Sequence, residues 1–201
     1  MYASREIRWF TQNENQQISA WFSGKQCTFS ETVPRTDFYL PIPGRNDLAI
    51  KLREGNVEIK QRRGKGQQGQ PGDHATGFFE NWEKWSFSAN QHDELAREIT
   101  RDKKHGWISV YKQRMALKLK EESPGKIRFT SLKEQIDYGC QVEYTRLVIA
   151  DAEWYTFALE WFGEKILVVD PSLFNEMTGD AILRAEDSMG YNEFLNKISK
   201  A

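Results

Sequence analysis

Alternation of apolar and polar positions runs through much of the chain and predicts a protein built mainly of β-strands. Period-two patterns occupy residues 6–10, 48–53 and 57–62, and the last two flank turn-forming residues at 54–56. Neighbouring side chains of a strand point to opposite faces, so this alternation is typical of strands with one apolar and one polar face. We therefore predict an N-terminal strand and, further along, a β-hairpin over residues 48–62.

The second half of the chain has the same pattern. It holds from residue 112 to residue 120, and further short strands are predicted at 127–129, 140–149, 154–162 and 165–169. Residues 150–153 connect two of these segments and are predicted to form a hairpin turn. Helical periodicity is limited to residues 90–100, to a segment around 179–188 and to the C-terminus, where Tyr191, Phe194, Leu195 and Ile198 share one face.

The region between the two sets of strands has a different composition. Residues 64–77 are rich in Gly and Gln, which predicts a flexible surface loop. Five aromatic residues follow it, and they either pack a helix against the strands or stack on a ring of a ligand: Phe78, Phe79, Trp82, Trp85 and Phe87.

About eight strands and a few short helices indicate a single domain over residues 1–201, of the α+β class and mostly antiparallel β. Eight antiparallel strands most easily form a closed barrel, because closure leaves no exposed strand edge. We therefore predict an eight-stranded closed barrel, or tunnel, with short flanking helices.

Composition narrows the function classes. The 28 Lys and Arg residues nearly cancel the 29 Asp and Glu residues, and the formal net charge is −1. Proteins that bind long nucleic acids on an open surface usually carry a large positive excess, so the total argues against that class. No apolar run approaches the roughly 20 residues that span a bilayer, and the N-terminus has no apolar signal stretch. We expect a cytoplasmic protein with no membrane partner, and the oligomeric state stays open.

The charges are distributed unevenly over the predicted strands. The polar faces carry four carboxylates, Glu6, Glu58, Glu143 and Glu160. The same faces carry ten cations: Arg8, Lys51, Arg53, Lys60, Arg62, Lys112, Arg114, Lys118, Lys120 and Arg128. The rest of the chain therefore holds the compensating excess of acids.

The orientation of these polar faces decides what they can bind. If they line the inside of a barrel, the clustered cations repel one another unless water and a polyanion share the space. Phosphate suits such a lining because Arg donates forked hydrogen bonds and Lys supplies a point charge. The predicted partner is then a small phosphorylated ligand. The alternative is that these faces are the solvated outside of an ordinary sheet.

Several segments, taken in order, resemble a known family, the CYTH-like phosphatases or triphosphate tunnel metalloenzymes. Residues 4–8 (SREIR) are similar to the family's N-terminal Glu-x-Glu-x-Lys strand, and residues 48–62 to its basic hairpin. Residues 110–114 resemble a later basic strand, and residues 142–144 and 158–160 resemble two acid-bearing strands. Residues 188–195 are similar to the closing C-terminal helix.

The resemblance implies an eight-stranded tunnel that hydrolyses triphosphates or makes cyclic AMP with Mg²⁺ or Mn²⁺ as cofactor. It implies that Glu6, Glu143 and Glu160 are both the metal ligands and the catalytic carboxylates, and that the ten cations bind substrate phosphates.

Three residues depart from the family's pattern, since Ser4, Thr145 and Ala158 stand where the family carries acids. Each predicted acid pair is thereby reduced to a single carboxylate. The sequence leaves two functions open: a metal-dependent triphosphate phosphohydrolase, and a non-catalytic tunnel that binds phosphate or a nucleotide.

Overall fold

The computed structural model describes residues 2–89, 94–100 and 106–199. Its strands are β1 (Tyr2–Thr11), β2 (Arg35–Leu40), β3 (Leu48–Arg53), β4 (Asn56–Gly72), β5 (Ala75–Ser88), β6 (Ile108–Ser123), β7 (Lys126–Thr130), β8 (Gly139–Ile149) and β9 (Ala152–Phe162). Its helices are α1 (Gln16–Gly24), α2 (Glu94–Thr100), α3 (Pro171–Thr178) and α4 (Tyr191–Ile198), with short 3₁₀ turns at Phe29–Glu31 and Ala185–Asp187.

Eight of the strands form a closed antiparallel barrel. Their order is β2-β3-β4-β5-β1-β9-β8-β6, and β6 pairs back with β2 to complete the ring. The ninth strand, β7, pairs with β6 outside the ring. The predicted eight-stranded α+β barrel is therefore confirmed, with one extra strand.

The main apolar core lies outside the barrel. On β1, Ile7 and Trp9 point outward and join a buried cluster with residues of α1 and α3, including Phe22 and Phe174. Trp9 packs edge-on against Phe174 at a ring-centre distance of 6.0 Å. Because alternate positions point to opposite faces, this packing leaves the polar face of β1 to the barrel interior.

Helix α4 covers one end of the barrel. Its residues Phe194 and Leu195 form a second buried cluster with interior-facing residues such as Phe10, Tyr39 and Val110. The rings of Phe10 and Phe194 are stacked with their centres 3.9 Å apart. The predicted C-terminal helix is confirmed, and the interior is closed on this side by apolar packing.

The predicted loop over residues 64–77 is wrong, since residues 64–72 lie in β4 and residues 75–77 in β5. Gly69 leaves room for the ring of Phe79 on the paired strand, since a Cβ on Gly69 would lie 2.6 Å from Cε2 of Phe79. The aromatic residues Phe78 to Phe87 accordingly lie on β5 of the barrel wall.

Two other predictions need correction. Residues 165–169 form no strand; Leu167 is buried and its carbonyl accepts a hydrogen bond from Trp161 Nε1. The helix expected around 179–188 lies earlier, at α3, because Asp170 caps the amide of Leu173 and Pro171 opens the helix. Strand β2 was not predicted at all. Of the helix predicted over 90–100, α2 is the described part, and residues 90–93 lie outside the described residues.

None of the helices in the described ranges is long and apolar enough to cross a membrane.

Candidate functional site

The interior faces of the strands converge on one cavity of about 90 Å³. Four carboxylates line it, those of Glu6, Glu58, Glu143 and Glu160. Seven cations also line it: Arg8, Arg35, Lys51, Arg53, Lys60, Lys112 and Arg114. The structure therefore shows that the polar faces of the strands point into the barrel.

Strand register brings these side chains together from distant parts of the chain. Glu6 lies directly opposite Glu160 across β1 and β9, and Lys51 opposite Glu58 across β3 and β4. Barrel closure then places Lys112 on β6 beside β2. Residues separated by more than 100 positions in sequence thus share one interior.

Glu143 is held by two guanidinium groups. Its Oε1 lies 2.8 Å from Arg8 Nη1, and its Oε2 lies 3.4 Å from Arg114 Nη1. Burial by itself would raise the pKa of this carboxyl, but Arg8 and Arg114 lower it far below its usual range. Glu143 is therefore ionised at neutral pH.

Lys60 bridges the other two carboxylates on this side of the cavity. Its ammonium donates to Glu6 Oε2 at 3.2 Å and to Glu160 Oε1 at 3.1 Å. Burial opposes its charge, yet Glu160 and Glu6 raise the pKa of Lys60 above its ordinary value. The pKa of Glu160 is in turn lowered, against its own burial, by Lys60.

A second ionic group surrounds Glu58. Its Oε2 lies 2.9 Å from Lys51 Nζ and 3.3 Å from Lys84 Nζ, and Arg53 Nε is 3.7 Å from Oε1. Burial raises the pKa of Glu58, but Lys51 and its other cationic neighbours outweigh burial and bring the pKa to about 2. For Lys51 the balance is opposite: burial and then Arg53 lower its pKa to about 8.

Lys112 lies at the end of the cavity next to α4. Its ammonium lies 3.1 Å from Asp37 Oδ2, donates to Tyr39 Oη at 2.7 Å and sits 3.8 Å from the ring centre of Tyr191. Burial lowers the pKa of Lys112, and the nearby Lys51 adds to this, although Asp37 opposes the shift. Burial thus disfavours the charged forms of Lys51 and Lys112 by more than the nearby carboxylates stabilise them.

Two buried donors in the cavity have no hydrogen-bond partner among the residues that the structure describes. Arg8 Nε and Thr145 Oγ1 make no hydrogen bond within the described part of the chain. Buried polar atoms are nearly always hydrogen-bonded, so unpartnered donors in a cation-rich cavity suit an incoming acceptor.

Four of the ten predicted phosphate-binding cations lie outside this cavity. Arg62 pairs with Glu80 and borders a separate cavity with Glu193. The other three, Lys118, Lys120 and Arg128, gather around Glu134, which follows β7. Each of these cations already has an acidic or carbonyl partner from the chain itself.

Sequence reasoning missed the contribution of β2 and α4. Arg35, Asp37 and Tyr39 project from β2, and Tyr191 from the first turn of α4. Their spacing on alternate positions, 35, 37 and 39, was the available signal for β2. It is weak because the intervening Thr36 is polar and exposed.

The predicted metal site does not fit the residues present. Glu6, Glu143 and Glu160 each have a charged nitrogen within 3.2 Å. In the described ranges, no group of three or more His, Cys, Asp or Glu side chains is arranged to hold a metal ion. A divalent cation would have to displace Lys60 or Arg8 to gain carboxylate ligands at the roughly 2.1 Å that Mg²⁺ requires.

Comparison with known proteins adds only distant likenesses. Neither the models of known protein families nor the curated proteins give a match to this chain. Among solved structures, a conserved hypothetical protein from Pyrococcus furiosus is 13% identical, with 94% of this chain and 98% of that chain covered and a TM-score of 0.39. A "putative adenylate cyclase" from Bacillus halodurans is 10% identical, with 92% and 95% covered and a TM-score of 0.40.

Proposed function

We propose that the barrel binds a small phosphate-type polyanion in its central cavity. The observation that carries the proposal is the convergence of seven cations on a cavity with four carboxylates, beside two unpartnered buried donors. Burial and then the charge of Arg53 lower the pKa of Lys51, and an anion that enters the cavity would offset both effects by stabilising the charged ammonium. Helix α4 closes one end, which favours a short anion over a long nucleic acid.

An anion can enter the cavity only if some cations turn away from their carboxylate partners, and we expect the cations with the longest ion-pair distances to do so first. The cavity volume of about 90 Å³ is well below the roughly 300–1,000 Å³ of ordinary ligand pockets. Arg53 Nε lies 3.7 Å from Glu58 Oε1, and Arg114 Nη1 lies 3.4 Å from Glu143 Oε2. Because these contacts are long, we expect both guanidinium groups to turn toward the bound anion. We expect phosphate oxygens to accept from these groups and from Arg8 Nε and Thr145 Oγ1.

Binding without chemistry is favoured over metal-dependent hydrolysis. The hydrolase needs carboxylates that are free to hold a divalent cation or to take a proton from water. The pKa values of Glu143 and Glu160 are lowered, against the effect of burial, by Arg8 and Lys60 respectively, so both carboxylates are weak bases. These contacts support a cation-lined tunnel that binds an anion and whose metal site is degraded.

Isothermal titration calorimetry with tripolyphosphate and with sulfate, in buffer containing EDTA, tests the proposal. We expect Arg114→Gln to weaken tripolyphosphate binding roughly 10- to 100-fold, which corresponds to one lost charge-assisted hydrogen bond. Lys126→Gln is the matched control, since Lys126 is exposed and pairs with Glu122 away from the cavity. Absence of binding heat for both anions, or an equal effect of the two substitutions, would contradict the proposal.

A further inference from the structure

Glu6 and Glu160 form a close pair of carboxylates inside the barrel. They occupy directly opposed positions on β1 and β9, where Cβ atoms lie about 4.5–5.5 Å apart. Two ionised carboxylates at that separation repel each other, and one of them takes up a proton unless a cation lies between them. A divalent metal ion is one such cation.

The cation found between them is an ammonium group of the chain. Lys60 Nζ contacts Glu6 Oε2 and Glu160 Oε1 at nearly equal distances, 3.2 and 3.1 Å. Lys60 projects from β4, which is separated from β1 by β5. Its side chain therefore reaches along the interior to the carboxylates rather than meeting a neighbouring strand.

The surroundings hold the ammonium in this position. The side chain of Glu6 is 6% exposed and that of Lys60 is 22% exposed. The side chain of Glu160 is 21% exposed. Neither carboxylate has another ion pair within 4 Å in the described part of the chain, so breaking the contact would leave two largely buried negative charges unpaired, which is strongly unfavourable. The ammonium is also tethered to the chain, so a dissolved ion has to compete with an intramolecular contact.

We propose that Lys60 takes the position that a divalent cation would need between Glu6 and Glu160, and so excludes metal ions from this barrel. Anion binding is then independent of divalent metal, a consequence that rests on the proposed function. The Lys60 ammonium supplies one positive charge where a metal ion would supply two, and the remaining charge for the guest comes from Arg8, Arg53 and Arg114.

Manganese titration followed by electron paramagnetic resonance tests the exclusion. We expect the unaltered protein to leave the signal of free Mn²⁺ unchanged, and Lys60→Gln to bind Mn²⁺ at least tenfold more tightly than the unaltered protein. Lys84→Gln is the matched control, because Lys84 contacts Glu58 and neither Glu6 nor Glu160 in the described set of ion pairs. Adding Glu160→Gln to Lys60→Gln should abolish the gained Mn²⁺ binding.

Two results would overturn the inference: tight Mn²⁺ binding by the unaltered protein, or Lys60→Gln that folds and gains none. If Lys60→Gln fails to fold, measurements on the unaltered protein still test whether anion binding depends on divalent metal. Its sulfate affinity, measured with EDTA and with Mg²⁺, should agree within about twofold, and a tenfold gain with Mg²⁺ would contradict metal independence. If neither sulfate nor tripolyphosphate binds, the proposed function fails, while the Mn²⁺ titration still decides whether metal is excluded.

Discussion

Arg8 and Glu143 form an ion pair inside the barrel, with Arg8 Nη1 2.8 Å from Glu143 Oε1 and both side chains less than 10% exposed. The two residues lie on β1 and β8, which share no backbone pairing because β9 lies between them. Arg8 Nη1 also donates to Thr156 Oγ1 on β9 at 3.3 Å. The guanidinium therefore ties three neighbouring strands together through side chains.

Removing the carboxylate of this pair should destabilise the fold strongly. We expect Glu143→Gln to lower the free energy of unfolding by about 3–5 kcal/mol, since Arg8 would remain buried without a charged partner. Urea denaturation followed by tryptophan fluorescence measures the change. The control is Glu122→Gln on the exposed pair with Lys126, for which we expect a change within about 0.5 kcal/mol. Equal losses for the two variants would contradict the prediction.

Stability should also fall in acid through Glu58. Its pKa is about 2 in the folded protein against an ordinary value of 4.5, because Lys51 and its other cationic neighbours outweigh the burial that raises it. A lowered carboxyl pKa gives stability that is fully present above about 4.5 and is lost as pH falls toward 2. We expect the free energy of unfolding, measured by urea at pH 6 and pH 3, to drop less in Glu58→Gln than in the unaltered protein. An identical drop in both proteins would show that Glu58 is not the group responsible.

The sequence pattern was sufficient to predict which strand face a side chain takes, but not how far along the barrel axis that side chain lies. Period-two alternation placed Arg8, Lys60 and Arg114 on the polar faces of their strands, because parity alone decides which face a side chain takes. The structure then shows that these faces line the interior. Lys118 and Lys120 have the same parity as Arg114, yet they lie further along β6 and pair with Glu134. That distance depends on strand register and on where residues 131–138 run, and neither is encoded in alternation.

The sequence could not predict which residues close the cavity, for a related reason. Tyr191 was correctly placed on an apolar helix face, but its contact with Lys112 depends on how α4 docks onto the barrel. Asp37 is fully buried on a strand whose alternation is too short and too polar to be recognised. Its partner Lys112 was predicted as a phosphate ligand, and the internal carboxylate that restrains it was not foreseen.

Anion affinity should fall as pH rises through the pKa of Lys51. Burial and then Arg53 lower this pKa to about 8, and Asp37 and Glu58 counteract them only in part. An anion binds the charged ammonium, so affinity is retained below pH 8 and declines above it. Calorimetry with sulfate, whose charge is constant in this range, should show weaker binding at pH 9 than at pH 7. Lys51→Arg keeps its charge and should flatten the profile, and a steep profile in that variant would contradict the assignment.

Glu134 anchors the segment that follows β7, and its removal should loosen that segment. Its carboxylate accepts hydrogen bonds from Lys120, Arg128 and Thr130, and its carbonyl accepts one from Lys118 Nζ at 2.7 Å. The hydrogen bonds from Lys120 and then Thr130 lower the pKa of Glu134 to about 2. The carboxylate is thus charged across the physiological pH range and keeps these contacts.

Hydrogen–deuterium exchange of the backbone amides of residues 131–138 measures the loosening directly. We expect Glu134→Ala to speed this exchange several-fold, because exchange follows the population of the locally opened state. Glu122→Ala is the matched control: Glu122 also faces Arg128, with 3.7 Å between Oε1 and Nε, but it belongs to β6. Exchange of residues 131–138 at an unchanged rate in Glu134→Ala, or at an equally raised rate in Glu122→Ala, would show that the Glu134 carboxylate does not hold the segment in place.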